Sequence, residues 1–303
     1  MCGIVGLYLK NQTLENQLGS MFAPMLEAMT GRGPDSAGFA IYGDQAQEGS
    51  TKITLRHPDL EYDWDTLAHH AQTHLAVNVA FNRNHNAAVF KMATDAKTAN
   101  AYFATHAPEV ALLSAGQSIE ILKAVGLPGD ISSDFNLTSM QGSHIIGHTR
   151  MATESAVTLE GSHPFSTGQD LCLVHNGSFS NHNRLRTELA YHGYQMKTEN
   201  DTEVAAGYLT WRMDQGDTLD QSLQHALQDL DGFYTLAIGT KNGFAVIRDP
   251  IACKPAVLAE TDDYVAMASE YQALTSLVNI EHARIWEPEP ATIYSWQRDS
   301  QQG

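Results

Sequence analysis

The sequence predicts a layered α+β domain. Short apolar runs rich in β-branched and aromatic residues cluster towards both ends of the 303-residue chain, and amphipathic helical patterns lie between them. A hydrophobic fraction of 43% and a charged fraction of 17% are typical of a globular chain that buries a full core. We therefore expect a single domain over residues 1–303, in which both terminal regions contribute strands to the sheets.

The first half of the chain is predicted to contain five strands and two helices. Apolar side chains repeat at helical spacing between Leu18 and Met29, which indicates a helix that buries one face. The segment 30–38, which contains Gly and Pro, is expected to end that helix as a tight loop. Gly and Pro also terminate the second predicted helix. The predicted strands are 3–9, 38–43, 51–57, 75–82 and 87–93, and the second helix is 118–129.

The second half contains the clearest strand signals, together with three helical segments. The middle helix begins near Asn200 or Asp201, which are good capping residues, and has Glu203 in its first turn. A series of short apolar runs with turns between them follows the last helix. The predicted strands are 143–150, 171–177, 233–240, 243–249, 255–260, 264–270 and 291–296, and the helices are 181–194, 201–213 and 218–230.

Composition argues against several functional classes. With 18 basic and 35 acidic residues the formal net charge is −17, whereas nucleic-acid binding needs a basic face. No apolar run is long enough to span a membrane, and no signal-peptide pattern is visible at the N-terminus. The three cysteines lack zinc-ligand spacing, and such a sparse, odd set is typical of a reducing, cytoplasmic compartment. His70 and His74 would share one helix face, but no third ligand is near them, so no metal site is expected.

Cys2 allows two interpretations. It is either a buried apolar residue at the start of a strand, or the first residue of the mature protein after removal of Met1. In the second case its thiol and its free amine lie on one residue, so the amine can act as general base for a thiol nucleophile. An α-amino group has a reference pKa of about 8, which allows it to accept a proton at neutral pH.

Other polar residues supply what such a nucleophile needs in order to act on an amino acid. Asn176 and Gly177 offer a side-chain amide and a backbone N–H for an oxyanion hole. Arginine side chains at Arg32 and Arg150 can hold a carboxylate bidentately, and Asp201 can hold an ammonium group. Together these residue types suit the hydrolysis of an amide on an amino-acid substrate.

Nine short motifs follow one another between residue 2 and about residue 270. They are MCGIVG, RGPDSAG, GHTRMAT, HPF, VHNG, NDTE, DGFYTLAIGT, RDPIACKP and ASE. Their order resembles that of class II glutamine amidotransferase domains, which are N-terminal-nucleophile hydrolases. The resemblance implies a four-layer αββα sandwich. It also implies that the chain converts glutamine to glutamate and releases ammonia.

The resemblance also implies a role for each matched residue. Cys2 would be the nucleophile, and Asn176 and Gly177 would form the oxyanion hole. Arg150 would bind the carboxylate of glutamine, and Thr153 would line the pocket. The remaining implied roles are Asp201 for the substrate ammonium, Arg32 and Gly33 for positioning the N-terminal residue, and His163 near the pocket without a specific role.

The chain departs from the family pattern in several places. A mild departure is at Ala252 and Lys254, where the family usually has Gly and often Arg. Met151 stands where many members have tryptophan, and Glu154 and Ser155 replace a His-Gly pair, which affects the shape of the glutamine pocket. The segment of about 44–141 is longer than in typical members. We expect this extended insertion to form an extra subdomain or a partner-binding surface.

A closer resemblance is to the stand-alone amidotransferase subunit of glutamate-synthase-like systems such as N-methylglutamate synthase. It implies a hetero-oligomer in which this chain binds glutamine and no cofactor, while partner subunits carry FMN and an iron–sulfur cluster. Two alternatives remain open. The chain would be a free-standing hydrolase of γ-glutamyl amides, or a catalytically silent structural or regulatory subunit.

Overall fold

The computed structural model describes residues 2–151 and 158–298 of the chain. The strands in these ranges are β1 (Gly3–Leu9), β2 (Ser36–Tyr42), β3 (Thr51–Arg56), β4 (Val79–Asn84), β5 (Ala87–Met92), β6 (Ala111–Gly116), β7 (Ile119–Val125), β8 (His144–Arg150), β9 (Cys172–Phe179), β10 (Gly232–Thr240), β11 (Gly243–Arg248), β12 (Val257–Glu260), β13 (Tyr264–Ala268), β14 (Arg284–Trp286) and β15 (Ile293–Gln297). The α-helices are α1 (Leu18–Ala28), α2 (Trp64–Leu75), α3 (Ala96–His106), α4 (Pro128–Asp134), α5 (His182–Tyr191), α6 (Asp201–Asp214) and α7 (Leu219–Asp229).

The strands form three antiparallel sheets. In the largest sheet β1 lies in the middle, hydrogen-bonded to β13 on one side and to β8 on the other. Its register with β8 pairs Gly3 with Thr149, so the start of β1 meets the end of β8. The strand orders are β14-β12-β13-β1-β8-β2-β7, β15-β11-β10-β9 and β4-β5-β3-β6.

The first two sheets pack face to face, and helices cover their outer faces. Ile4, Ile146 and Val174 are fully buried in the layer of side chains between these sheets. Helices α1 and α4 cover the outer face of the seven-stranded sheet, and α5, α6 and α7 cover that of the four-stranded sheet. The layers therefore follow the order helix, sheet, sheet, helix, which confirms the predicted αββα sandwich.

The third sheet forms a separate layered unit within residues 51–116. Helices α2 and α3 pack on it around a core of its own, in which Trp64 and Phe103 both contact Phe90 edge-on. The rest of the segment 44–141 belongs to the sandwich, since β7 pairs with β2 and α4 packs beside α1. The segment therefore holds both an added unit and an edge of the main sheet.

Asp170 joins the third sheet to β9. Its buried carboxylate accepts hydrogen bonds from the backbone N–H groups of Gln117, Ser118 and Ile119 and from the Ser118 hydroxyl, at 2.7–3.1 Å. The N–H of Asp170 donates to the carbonyl oxygen of Ala115 at 3.0 Å. Because Asp170 lies just before β9, the turn between β6 and β7 and the beginning of β9 are held together.

The predicted helix over residues 118–129 is wrong in most of its length. Residues Ile119–Val125 form β7, and helix α4 begins only at Pro128. The Glu, Leu, Lys and Ala residues of this segment favour a helix by only a few tenths of a kcal/mol each. Pairing with β2 and burial of Ile121 and Leu122 outweigh that preference.

Two histidines of β8 bridge the packed sheets. His144 Nε2 donates to the carbonyl oxygen of Thr240 in β10 at 2.9 Å. His148 Nε2 donates to the carbonyl oxygen of His175 in β9 at 3.1 Å. Burial lowers the pKa of His144 and of His148 to about 3, so both rings are neutral at pH 7. The two neutral rings therefore donate hydrogen bonds from one sheet to backbone carbonyl groups of the other.

We expect the free energy of unfolding to decrease as the pH falls below about 6.5. The His144 ring stays neutral in the folded protein down to about pH 3, whereas the unfolded chain takes up this proton near pH 6.5. Each such histidine lowers stability by about 1.4 kcal/mol per pH unit in that interval. His144→Gln is therefore expected to flatten the pH dependence by about this amount, measured by urea unfolding between about pH 6 and 4.5.

Ile145→Val provides the control, because it shortens a fully buried neighbour and changes no titratable group. We expect it to lower the free energy of unfolding by a similar amount at every pH. If His144→Gln showed the same pH dependence as the parent protein, the neutral state of the buried His144 ring would be contradicted.

Candidate active site

Cys2 lies immediately before β1, at the edge of the sandwich where β8 ends. Continuing the β1–β8 register by one residue places Cys2 opposite Arg150. Ile4 and Ile146 point into the space between the two packed sheets. Because side chains alternate along a strand, Cys2 and Arg150 are directed to the same side as these two residues.

The loop after α1 holds the backbone beside Cys2. Arg32 Nε donates to the carbonyl oxygen of Cys2 at 2.9 Å. Gly33 packs so closely on the end of β8 that a Cβ atom there would lie 2.3 Å from the carbonyl carbon of Thr149. Any side chain at this position would force the loop away from β8. Arg32 and Gly33 therefore lie against the segment that contains Cys2.

Asn176 and Gly177 lie near the end of β9 in the second sheet. Val174 faces the space between the sheets, so alternation directs Asn176 into the same space. The Nδ2 group of Asn176 is buried and has no hydrogen-bond partner within residues 2–151 and 158–298. Gly177 has a φ angle of +147°, and a Cβ atom there would lie 2.0 Å from the carbonyl oxygen of Phe233. The position therefore requires glycine.

Asp201 is the first residue of α6, on the helical side of the second sheet. Its Oδ2 accepts a hydrogen bond from the N–H of Phe179 at 3.0 Å, two residues beyond Gly177 in β9. Burial raises the pKa of Asp201, but its interactions with His175 and with the Phe179 N–H outweigh this effect and lower the pKa below its ordinary value. Asp201 is therefore an anion at neutral pH.

A histidine–threonine network, which the sequence did not predict, surrounds Asp201. Thr202 Oγ1 lies 2.8 Å from His163 Nε2, 3.0 Å from His175 Nδ1 and 3.4 Å from Asp201 Oδ1. The His163 ring stacks on His148, with ring centroids 4.0 Å apart. Burial lowers the pKa of His163 well below its ordinary value. The network links β8, β9 and α6 next to the candidate site.

Arg150 and Thr153 complete the predicted set. Arg150 is the last residue of β8, and its guanidinium lies beside Gly161, where a Cβ atom would be 3.3 Å from Arg150 Nη1. Thr153 lies outside the described residues, as do Glu154 and Ser155. Of the predicted site residues, the structure therefore brings Cys2, Arg32, Gly33, Arg150, Asn176, Gly177 and Asp201 to one end of the sandwich.

Two further properties bear on function. In the described part of the chain, no group of three or more His, Cys, Asp or Glu side chains is arranged to hold a metal ion. Among the helices of that same part, none is both long enough and apolar enough to cross a membrane.

Comparison with known proteins shows which proteins this chain is similar to. A family model described as a glutamine amidotransferase domain matches residues 148–276. The chain is 57% identical over 297 residues to the glutamine amidotransferase-like protein GlxB of Rhizobium meliloti, and the alignment covers 98% of each chain. It is 30% identical over 176 residues to an amidophosphoribosyltransferase of Methanothermobacter thermautotrophicus, over 57% of this chain and 37% of that one.

A solved structure supports the same fold. The glutamine phosphoribosylpyrophosphate amidotransferase of B. subtilis aligns with a TM-score of 0.60 and 18% identity, over 98% of this chain and 49% of that chain. At this level of identity the similarity concerns the fold alone. The family itself follows from the 57% identity to GlxB over almost the full length of both chains. This chain therefore belongs to the class II glutamine amidotransferase family of N-terminal-nucleophile hydrolases, which is a family of enzymes.

Proposed function

We propose that this chain is a glutaminase subunit that releases ammonia from the side chain of glutamine. In the proposed reaction the thiolate of Cys2 attacks the side-chain amide carbon, and a tetrahedral oxyanion forms. The C–N bond then breaks, ammonia leaves with the proton taken from the thiol, and a γ-glutamyl thioester remains on Cys2. Water hydrolyses the thioester to glutamate and restores the thiol, so one difficult step is divided into two.

The observation that carries this proposal is the side-chain amide of Asn176, whose Nδ2 group has no hydrogen-bond partner in the described part of the chain. A buried N–H group without a partner costs free energy, so its presence next to a glycine with a positive φ angle requires an explanation. An oxyanion that forms only during the reaction would supply the missing acceptor. A donor that is already in place when the charge develops stabilises the transition state more than the bound substrate.

The proposed general base is the free amine of Cys2, which requires removal of Met1. Two nearby histidines are poor alternatives, because burial lowers the pKa of His148 to about 3 and that of His163 well below its ordinary value. A base this weak removes few protons from a thiol at neutral pH. An α-amine with a reference pKa of about 8 is better matched to the task.

The remaining residues of the site would bind glutamine. Arg150 would pair with the α-carboxylate through its planar guanidinium, and Asp201 would pair with the α-ammonium. Thr153, which lies outside the described residues, would line the pocket. Arg32 and Gly33 would keep the nucleophile in position, which agrees with the hydrogen bond from Arg32 to the Cys2 carbonyl oxygen.

We further propose that the ammonia passes to a glutamate-synthase-like partner, in a cytoplasmic hetero-oligomer of the N-methylglutamate synthase type. The opening segment MCGIVGLYLK and the long insertion over about 44–141 resemble the stand-alone subunits of such systems, which supports this assignment. The net charge of −17 suits a partner with a basic face. FMN and the iron–sulfur cluster would belong to the partner subunits. Gentle affinity purification from the native source tests the proposed complex. Partner subunits that co-purify would support it, whereas a chain that is fully active alone would favour a free-standing γ-glutamyl hydrolase.

Cys2→Ala is expected to abolish covalent labelling by diazo-oxo-norleucine, an electrophilic glutamine analogue, and to lower glutaminase activity by more than about 1,000-fold. Cys253→Ala removes an exposed thiol and is expected to change neither property. Intact-mass spectrometry of the labelled and unlabelled protein measures both Met1 removal and the site of labelling. Active protein that retains Met1 would rule out the amine as the base.

Asn176→Ala is expected to lower kcat by about 100- to 1,000-fold with little change in KM, because the lost donor acts on the oxyanion rather than on bound glutamine. Steady-state ammonia release measures both constants. Asn183→Ala, at an exposed position of α5, serves as the matched control and should retain the parent values. A large increase in KM at unchanged kcat would instead assign Asn176 to substrate binding.

Glutamine binding is expected to be nearly the same at pH 5 and pH 7.5, because the lowered pKa of Asp201 keeps its carboxylate ionised at both values. Calorimetry on the Cys2→Ala variant measures the Kd without turnover. Asp201→Asn in that background is expected to raise the Kd by at least about 30-fold at both pH values. A Kd that increases tenfold between pH 7.5 and pH 5 only when Asp201 is present would contradict the ionised carboxylate.

A further inference from the structure

Two residues that follow β13 hold the beginning of β1. The hydroxyl of Ser269 accepts a hydrogen bond from the N–H of Ile4 at 2.9 Å, and the Ser269 N–H donates to the Ile4 carbonyl oxygen at 2.9 Å. Glu270 comes next, and its Oε1 accepts from Arg32 Nη1 at 2.6 Å. Arg32 in turn donates through Nε to the carbonyl oxygen of Cys2 at 2.9 Å. Two hydrogen bonds therefore connect Glu270 to Cys2.

The orientation of Arg32 depends strongly on Glu270. The Arg32 side chain is only 10% exposed, and its Nη2 group is buried without a hydrogen-bond partner in the described ranges. A guanidinium group is planar, so one bond from Nε and one from Nη1 together fix the direction of its plane. Loss of Glu270 removes the second of these bonds and leaves the plane free to turn about the first.

The ion pair contributes little to the stability of the fold. The side chain of Glu270 is 43% exposed, and ion pairs that reach solvent are screened by water and salt. The effect of Glu270 on the orientation of Arg32 is more important than this stability term, because Arg32 donates a hydrogen bond directly to the backbone of Cys2.

We propose that Glu270 is a positioning residue for the nucleophile and acts through Arg32, an inference that rests on the proposed function. With both hydrogen bonds formed, the carbonyl group of Cys2 is held, and its thiol is presented to the amide carbon of glutamine in a narrow range of positions. Without Glu270 the same thiol spends less time in the reactive geometry, to which reaction rates are very sensitive.

Glu270→Ala is expected to lower kcat by about 10- to 100-fold while KM stays within about twofold, because the residues proposed to bind glutamine are intact. Glu270→Gln keeps an oxygen acceptor for Arg32 Nη1 and is expected to lose less than about fivefold. The rate at which diazo-oxo-norleucine alkylates Cys2 should decrease in the same order. This rate is a second readout that needs no turnover.

A double-mutant cycle separates action through Arg32 from an independent effect. Arg32→Ala combined with Glu270→Ala is expected to react no more slowly than Arg32→Ala alone. Glu15→Ala is the matched control, since Glu15 forms a comparable ion pair with Arg298 at 2.6 Å and is 35% exposed. We expect this control to keep the parent kcat and alkylation rate.

Parent-like kcat and alkylation in Glu270→Ala would overturn the positioning role, and so would losses that add fully in the double variant. The stability of Glu270→Ala is monitored by its thermal unfolding midpoint, which should stay within about 2 °C of the parent value. A parent protein that is alkylated at Cys2 but releases no ammonia would contradict the proposed function. In that case the alkylation rates would still test the role of Glu270.

Discussion

The site depends on the alternation of side chains along three β-strands. Cys2, Arg150 and Asn176 are far apart in sequence, yet each lies an even number of residues from a side chain that is buried between the two packed sheets. A shift of one residue in register would turn such a side chain to the opposite face. Pairing of β1 with two neighbours prevents that shift, so the middle strand of the largest sheet determines where the thiol points.

Polar contacts between the layers reinforce this arrangement. His148 in the first sheet donates a hydrogen bond to a carbonyl oxygen of the second sheet. Asp201, in the helical layer that covers the second sheet, accepts a hydrogen bond from a backbone N–H group of β9. Thr202 completes the connection through His163 and His175. The histidine and threonine groups are buried and Asp201 is largely so, which makes these hydrogen bonds costly to break. The candidate site therefore lies where the layers are joined by hydrogen bonds as well as by apolar packing.

The candidate site residues could be named from the sequence, whereas the hydrogen-bond network around them could not. Strands with dense β-branched residues were identified correctly, whereas β7 has the composition of a helix and becomes a strand only through pairing with β2. Asn176 and Asp201 lie in short motifs that can be read directly. The bond between Arg32 and Glu270 joins residues 238 positions apart, and the one between Thr202 and His163 spans 39 positions. Spacing along the chain carries no information on such contacts, because they arise from tertiary packing.

The carboxylate of Asp170 makes the third sheet mechanically continuous with the sandwich. The carboxylate accepts four hydrogen bonds from residues 117–119. The backbone N–H of Asp170 donates to the carbonyl oxygen of Ala115, near the end of β6. Short hydrogen bonds to a buried charge form a stiff connection rather than a hinge. A load on the third sheet would thus be transmitted to the first residues of β9, the strand that also carries Asn176. A displacement of the added unit would therefore move the beginning of β9 with it.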